Sequence, residues 1–363
     1  MDDAFIERKK KSMFKGILLF FMCMLIITAV LSLFKVPLPF TICLFIIGIV
    51  LLVEGADWMI SSAAHLAKHL KIPPIIVGLF FVAVFTSIPE LAVSVYSAYL
   101  GEADIALGTI IGSSITNIGL VLGVTAMISP LVVESFTVLL EAPFLLLASV
   151  ILFVLSFRLF DFGSATYIIG KLDGLLMLLF FLIFIVYTWK NTVFKESQKV
   201  SDEFMTAFTT GLIPFAKTLF VFLIGLGAVF LGASIVVNTG LGIATGFHIE
   251  KTVVGLILIA IGTSLPEFVV ALVGMYKKEY DLVIGNILGS CIITILFVVG
   301  ITALYKPLLV NVHLVFVDMI VLMLMACFFQ IFITTDKTVS RKEGAVLFLM
   351  YLCYIVYTII YAM

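Results

Sequence analysis

The sequence has few charged residues for its length. Charged side chains make up 12% of its 363 residues, whereas soluble domains carry roughly 25%. This scarcity excludes an ordinary water-soluble domain, and the 63% of hydrophobic residues indicates a polytopic membrane protein surrounded by the lipid bilayer. A net charge of −1 gives no basis for binding nucleic acid, and the sequence contains no evident site for an obligatory protein partner.

Cysteine and histidine are also scarce. The five cysteines are scattered through apolar runs without paired spacing, so they predict neither a disulfide framework nor a zinc site. The four histidines lie near the ends of predicted helices, where they do not form a nucleophile and base pair for an intramembrane protease. We therefore expect no enzymatic chemistry and no organic cofactor.

The hydrophobic runs predict eleven transmembrane helices, since about 20 apolar residues cross a bilayer as a helix. The first run follows a basic segment, as in a signal peptide, but no cleavage site of small residues follows it, so we expect a retained helix. The predicted helices lie near residues 14–34, 38–66, 72–98, 104–128, 134–157, 171–190, 210–237, 250–276, 281–304, 310–333 and 343–361.

These helices divide the chain into four predicted parts. Residues 1–36 contain the cytoplasmic amino terminus and an extra helix, and residues 37–190 contain a first unit of five helices. A cytoplasmic linker at 191–209 leads to a second unit of five at 210–363. With the amino terminus in the cytoplasm, sixteen Lys and Arg residues fall inside and five outside. This bias supports the orientation of a multi-pass protein of the cell membrane, plasma or inner.

Residues 72–130 recur at 249–307 without a gap. Glu90 and Glu267 are 177 positions apart, as are Ser113 and Ser290. Because five predicted helices separate equivalent positions, the second copy enters the membrane from the opposite side. The expected fold is therefore an all-α polytopic membrane protein with inverted repeats of five helices (5+5) plus one extra amino-terminal helix. Inverted repeats are typical of secondary transporters that work by alternating access.

Each repeat contains a glutamate directly after a proline within an apolar run, in TSIPE at 86–90 and TSLPE at 263–267. Proline removes a backbone donor, which predicts carbonyls without partners near 83–85 and 260–262. Together with hydroxyl and carboxylate oxygens, these carbonyls suit calcium or sodium. The alternative is a simple kink whose glutamate is hydrogen-bonded to Ser or Thr.

The next predicted helix of each repeat contains glycines four residues apart and a polar stripe. Gly108, Gly112, Gly285 and Gly289 predict close helix packing. Four polar residues at a spacing of four can face the glutamates and are ligand candidates. They are Ser113, Asn117, Ser290 and Thr294.

These two motifs resemble the alpha repeats of the sodium/calcium exchanger family, roughly G-T-S-x-P-E followed by D-x-A-x-G-N-x-x-G-S-N-x-x-N or -D. The resemblance implies ten helices that couple sodium entry to calcium export. It also implies that Glu90 and Glu267 are calcium ligands that sodium also uses. Flanking sodium sites are implied at Thr86, Thr263, Ser87, Ser264, Ala83, Ala260, Ser113 and Ser290.

The sequence departs from the family pattern at several positions. Phe85 replaces a glycine, and Thr109, Ser114 and Cys291 each replace an asparagine. Thr294 occupies a position where many relatives have an acidic or amide residue. A neutral Thr294 leaves two carboxylates, whose charge balances one calcium or two sodium ions, and it argues against potassium dependence. Protons remain an alternative driving ion, and a cation channel or cation-sensing membrane protein is the alternative class.

One further acidic pair shares the same offset. Glu141 and Asp318 are also 177 positions apart, and both fall inside predicted helices. They are interpreted either as hydrogen-bond acceptors near a membrane interface or as accessory cation or proton positions outside the main site.

Overall fold

The computed structural model describes residues 38–70, 72–132, 138–157, 167–206, 215–246, 263–310 and 312–362. Over these ranges the chain is almost entirely helical, which confirms the predicted all-α class. The helices are α1 (Leu38–Leu70), α2 (Pro74–Thr86), α3 (Ile88–Leu100), α4 (Ala103–Ile128), α5 (Val138–Ser156), α6 (Lys171–Thr206), α7 (Phe215–Gly246), α8 (Leu265–Tyr276), α9 (Tyr280–Tyr305), α10 (Val312–Asp336) and α11 (Arg341–Ala362).

The described helices include seven that are long and apolar enough to cross a membrane, and eight if α2 and α3 form one span bent by 41°. The described part of α5 and helix α8 are shorter apolar helices. The predicted extra helix at 14–34 lies outside the described residues. Helix α6 continues to Thr206, so residues 191–206 of the predicted linker extend a membrane helix. Their lysines, glutamates and glutamine are good helix formers, which explains the extension.

Helices α4 and α9 occupy equivalent positions in the two halves. Adding the sequence offset of 177 to the bounds of α4 gives the bounds of α9. Both helices contain a π-helical segment after their midpoint, at Asn117–Leu122 and at Ile293–Val298. They are also the most buried of the long helices, whereas α6 and α11 expose most of their apolar side chains, as lipid-facing helices do. The two most similar helices of the repeats therefore form the centre of the protein.

Two short antiparallel ribbons connect the halves. Strand β1 (Leu131–Val132) pairs with β4 (Thr338–Val339), and β2 (Ile168–Ile169) pairs with β3 (Leu308–Leu309). Each ribbon joins one connection of the first half to one connection of the second. The predicted topology places β1 and β4 on the cytoplasmic side and β2 and β3 on the opposite side. The pairings agree with that assignment, because paired strands must share a membrane face.

Helices α1 and α7 pack with their backbones in close contact. A Cβ atom on Gly55 would lie 2.8 Å from the Gly225 carbonyl oxygen, and one on Gly232 would lie 2.8 Å from the Gly48 carbonyl oxygen. Gly48 and Gly225 are related by the offset of 177, as are Gly55 and Gly232. The crossing therefore repeats itself under exchange of the two halves, as an inverted repeat requires. Small residues allow this approach, in which two long helices pack tightly.

Candidate cation-binding site

A similar backbone conformation directly before a helix places each of the two glutamates. Helix α2 ends at Thr86 and α3 begins at Ile88, with Ser87 between them at φ −84° and ψ 5°. Ser264 has nearly the same backbone conformation, φ −90° and ψ 4°, directly before α8. Pro89 and Pro266 each lie in the first helical turn, where a missing N–H group is tolerated. The same local sequence therefore produces the same backbone conformation before α3 and before α8.

Glu90 and Glu267 lie in the first turns of α3 and α8. The amino-terminal end of a helix favours a negative charge, so the break also provides a suitable position for a carboxylate. Their side chains are 2% and 0% exposed, and the two carboxylates are close enough to repel each other. Among the described residues, Glu90 Oε2 and both carboxylate oxygens of Glu267 have no hydrogen-bond partner. A cation would satisfy these oxygens and remove the repulsion.

The Thr86 hydroxyl connects the two repeats. Its Oγ1 atom lies 3.3 Å from Ser290 Oγ and 3.4 Å from Asn286 Oδ1, both on α9. It also lies 3.3 Å from the Ala83 carbonyl oxygen of its own helix and beside the Glu267 carboxylate. Oxygens from both halves thus converge next to Glu267.

The Ala83 carbonyl corrects one detail of the sequence argument. It accepts a hydrogen bond from the Ser87 backbone N–H at 3.0 Å in addition to the Thr86 hydroxyl contact. The proline therefore does not leave this carbonyl without a partner. Pro89 has no N–H to donate to the carbonyl of Phe85, four residues earlier, and that is the group the proline affects.

The remaining predicted ligands are mostly buried. The Ser87 and Ser264 hydroxyls and Asn117 Oδ1 have no hydrogen-bond partner among the described residues. The Ser113 hydroxyl donates to the Ile110 carbonyl at 3.1 Å, and the Thr294 hydroxyl donates to the Ser290 carbonyl. Of the other predicted ligands, Thr263 is half-buried and Ala260 lies outside the described residues.

Glycines bring α9 against α2, as predicted for the second repeat. A Cβ atom on Gly285 would lie 2.5 Å from the Ile75 carbonyl oxygen, and one on Gly289 would lie 2.6 Å from that of Leu79. Ser290 follows Gly289 directly, so this close approach sets the distance from Ser290 to the broken helix α2. For Gly108 and Gly112, no described atom lies within 4 Å of such a Cβ, and their predicted packing stays a prediction.

Two buried residues near the site were not among the predicted ligands. Asn286 contacts Thr86, and the Cys291 side chain lies near Asn117 and the Glu267 carboxylate. The Cys291 thiol also lies 3.8 Å from the carbonyl oxygen of Ser114, its equivalent in the first repeat. Both positions fall within the resemblance motif, where Asn286 matches the family pattern and Cys291 departs from it. Asn286 corresponds to the first asparagine of the family motif, so that motif was a signal for it.

The outer acidic pair has two different environments. Glu141 lies in α5 and is 1% exposed. Asp318 lies in α10, is partly buried, and accepts a hydrogen bond from the Tyr354 hydroxyl of α11. Their role stays a prediction.

The chemistry of the central site is that of hard cations. Its donors are carboxylate, hydroxyl, amide and carbonyl oxygens, which calcium and sodium prefer. Within the described ranges, no group of three or more His, Cys, Asp or Glu side chains is arranged to hold a metal ion. Inverted repeats with broken helices and buried polar groups at their interface define a secondary transporter.

Comparison with known proteins identifies the family. The sequence matches the family model for the sodium/calcium exchanger protein over residues 40–190 and 217–360. The chain therefore belongs to the sodium/calcium exchanger family, and cation/calcium antiport is the class of activity that this membership supports. The resemblance found in the two motifs is confirmed.

Individual relatives match over nearly their whole lengths. The chain is 33% identical over 319 residues to a putative antiporter, CaxA, of Alkalimonas amylolytica, which covers 85% of this chain and 95% of that protein. It is 29% identical over 343 residues to the sodium/calcium exchanger MaX1 of Methanosarcina acetivorans, with 86% and 96% covered. A solved structure of the sodium-calcium exchanger NCX_Mj matches with a TM-score of 0.72 and 28% identity, covering 89% of this chain and all of that one. These relatives are transporters, and the fold is that of a helical membrane exchanger.

Proposed function

We propose that this protein exports calcium in exchange for sodium by alternating access, without requiring potassium. The observation that carries the proposal is the pair of buried glutamates from opposite repeats. Glu90 and Glu267 are buried close to each other, where two negative charges would repel, and three of their four carboxylate oxygens have no partner among the described residues. Two unpaired carboxylates in a low-dielectric setting are costly without a compensating cation.

The charge of the pair matches the proposed ions. The two negative charges of the carboxylates are balanced either by one calcium ion or by two sodium ions. Each ion set removes the same repulsion, so calcium and sodium compete for one pair of ligands. Such competition is what coupled exchange requires, since the site then presents one ion set or the other to each side.

The neighbouring oxygens provide the sodium positions in this proposal. Thr86 and Ser290 contact each other across the repeats next to Glu267, which supports a monovalent site on that side. The equivalent residues of the other repeat, Thr263 and Ser113, supply the monovalent site on the other side. The full proposed ligand set is Glu90, Glu267, Thr86, Thr263, Ser87, Ser264, Ser113, Ser290, Asn117, Thr294, Ala83 and Ala260.

Thr294 supports independence from potassium. Its neutral hydroxyl donates to the carbonyl of Ser290, so this position adds no third charge to the site. Proton coupling is the second candidate, favoured by one observation. Both carboxylate oxygens of Glu267 are buried without a partner among the described residues, and such a group can carry a proton in place of a metal ion.

The proposed orientation places the amino terminus in the cytoplasm and the protein in the cell membrane. The excess of Lys and Arg in the predicted cytoplasmic segments supports it. The ribbon pairings are consistent with it, since each joins connections assigned to one face.

Calcium flux into proteoliposomes tests this function. Purified protein is reconstituted with internal sodium, potassium or low pH, the membrane potential is clamped, and uptake of isotopic calcium is measured. We expect internal sodium to drive uptake without potassium on either side. Flux driven by a pH gradient but not by sodium would replace sodium with protons. Saturable calcium counterflow separates a carrier from a channel, which would show none.

A further inference from the structure

Asn286 introduces a difference between the two sides of the site. It lies on α9, one turn before Ser290, and is 0% exposed. Its Oδ1 atom faces Thr86 Oγ1 at 3.4 Å, and its Nδ2 atom has no hydrogen-bond partner among the described residues. The equivalent residue of the first repeat is Thr109, whose hydroxyl donates to the Ile105 carbonyl of its own helix at 2.8 Å. At this position, the second repeat directs an amide towards α2, whereas the first repeat has a hydroxyl that is bonded within its own helix.

The Thr86 hydroxyl needs such a partner in order to bind a cation. A hydroxyl that binds a cation directs its lone pairs at the ion, so its single proton must point to an acceptor elsewhere. The acceptors around it are the Asn286 amide oxygen, the Ser290 hydroxyl, the Ala83 carbonyl and the neighbouring Glu267 carboxylate. Ser290, Ala83 and Glu267 are proposed ligands themselves, and the Ala83 carbonyl already accepts the Ser87 N–H. Asn286 is the acceptor that leaves these ligand oxygens available.

We infer that Asn286 is a positioning residue for the sodium position on the Thr86 side of the site. Its amide oxygen accepts a hydrogen bond from the Thr86 hydroxyl. The lone pairs of that hydroxyl then point towards a monovalent ion, which Ser290 and Glu267 also bind. The equivalent residue of the first repeat, Thr109, has no amide oxygen, and its hydroxyl donates to Ile105 of its own helix. The two repeats thus differ in the residue at this position, and the inference rests on the proposed sodium/calcium exchange.

The test compares Asn286→Leu with Thr109→Val, which each remove polar atoms while nearly preserving shape. Sodium dependence and calcium dependence of flux are measured in proteoliposomes, and sodium-induced thermal stabilisation is measured on the purified full chain. For Asn286→Leu we expect the sodium concentration for half-maximal effect to rise about three- to tenfold, as for one lost hydrogen bond. The calcium concentration for half-maximal flux and the maximal rate should change much less. Thr109→Val should resemble the wild type.

A second, milder variant keeps the inference testable if Asn286→Leu does not fold. Asn286→Thr reproduces the first repeat and retains a hydroxyl, so it should lie between wild type and Asn286→Leu in sodium dependence. Combining Asn286→Leu with Thr86→Val should weaken sodium binding no more than Thr86→Val alone, because both act on one hydroxyl.

The outcomes separate this inference from the proposed function. Equal sodium stabilisation of wild type, Asn286→Leu and Asn286→Thr would overturn the inference, as would equal weakening of sodium and calcium binding, which marks a structural role. Absence of any sodium stabilisation in the wild type would also overturn it. A wild type that sodium stabilises, but that shows no sodium-driven calcium flux, would contradict the proposed function while leaving the role of Asn286 to be decided by the thermal shifts.

Discussion

Replacing Gly289 with alanine should damage the site through one added methyl group. The new Cβ atom would lie 2.6 Å from the Leu79 carbonyl oxygen, 2.7 Å from Ala83 Cβ and 2.9 Å from Leu79 Cα. None of these atoms is the end of a flexible side chain, so the helices themselves must move. Ordinary contact begins at 3.4 Å, and the shortest distance must therefore grow by about 0.8 Å, from 2.6 Å to 3.4 Å.

This displacement acts directly on the proposed ligands. Ser290 is adjacent to Gly289, and Thr86 lies one turn beyond Ala83, so the 3.3 Å contact between their hydroxyls must lengthen. Overpacking of this kind typically costs about 1–3 kcal/mol, of which up to about 1 kcal/mol is offset by the better helix propensity of alanine. The effect on folding should thus be modest. We expect the larger effect on calcium affinity, a loss of about tenfold or more, equivalent to about 1.4 kcal/mol.

The assay compares Gly289→Ala with Gly227→Ala, a glycine of α7 whose added Cβ would have no described atom within 4 Å. Both proteins are purified, their melting temperatures are measured, and the calcium concentration for half-maximal flux is determined in proteoliposomes. Gly227→Ala should match the wild type in both properties. If Gly289→Ala had wild-type calcium dependence and melting temperature, the close approach of α9 to α2 would not control the site.

Two smaller predictions concern charged residues outside the centre. Replacing Glu141 and Asp318 together with their amides should leave calcium binding intact while changing the rate or pH dependence of flux. Unchanged flux across about pH 6 to 8 would restrict this pair to a structural role. Lys277 Nζ lies 2.7 Å from Asp57 Oδ1 and 2.6 Å from Ser61 Oγ, which ties the end of α8 to α1. Because both charged side chains are partly exposed, Asp57→Asn should lower stability by no more than about 1 kcal/mol, measured as a small drop in melting temperature.

The sequence repeat predicted the architecture well, because an offset of 177 without gaps constrains both halves at once. The helix starts directly after Ser87 and Ser264 agree with proline chemistry, which is local and can therefore be predicted from the sequence. The helices were located from the length of their hydrophobic runs, which is also a local property. The polar stretch after residue 190 was interpreted as a linker because length and polarity do not reveal whether a helix continues beyond the membrane.

The contacts between helices could not be predicted in the same way. The partnership of Thr86 with Asn286 depends on the depth at which α9 packs against α2, which glycine contacts determine in three dimensions. The second hydrogen bond to the Ala83 carbonyl likewise depends on the exact turn geometry before the break. The π-helical segments have no evident sequence signature, although such segments often occur at functional sites.

The central claim is that one pair of carboxylates carries calcium through this protein. It is tested most directly by isotopic calcium flux through purified, monodisperse Glu90→Gln and Glu267→Gln in proteoliposomes, beside the wild type. Each amide removes one charge from a doubly negative site in a low-dielectric setting while preserving size. The account predicts that both variants fold but do not exchange calcium. Flux close to the wild-type rate in either variant would contradict it and remove that glutamate from the site.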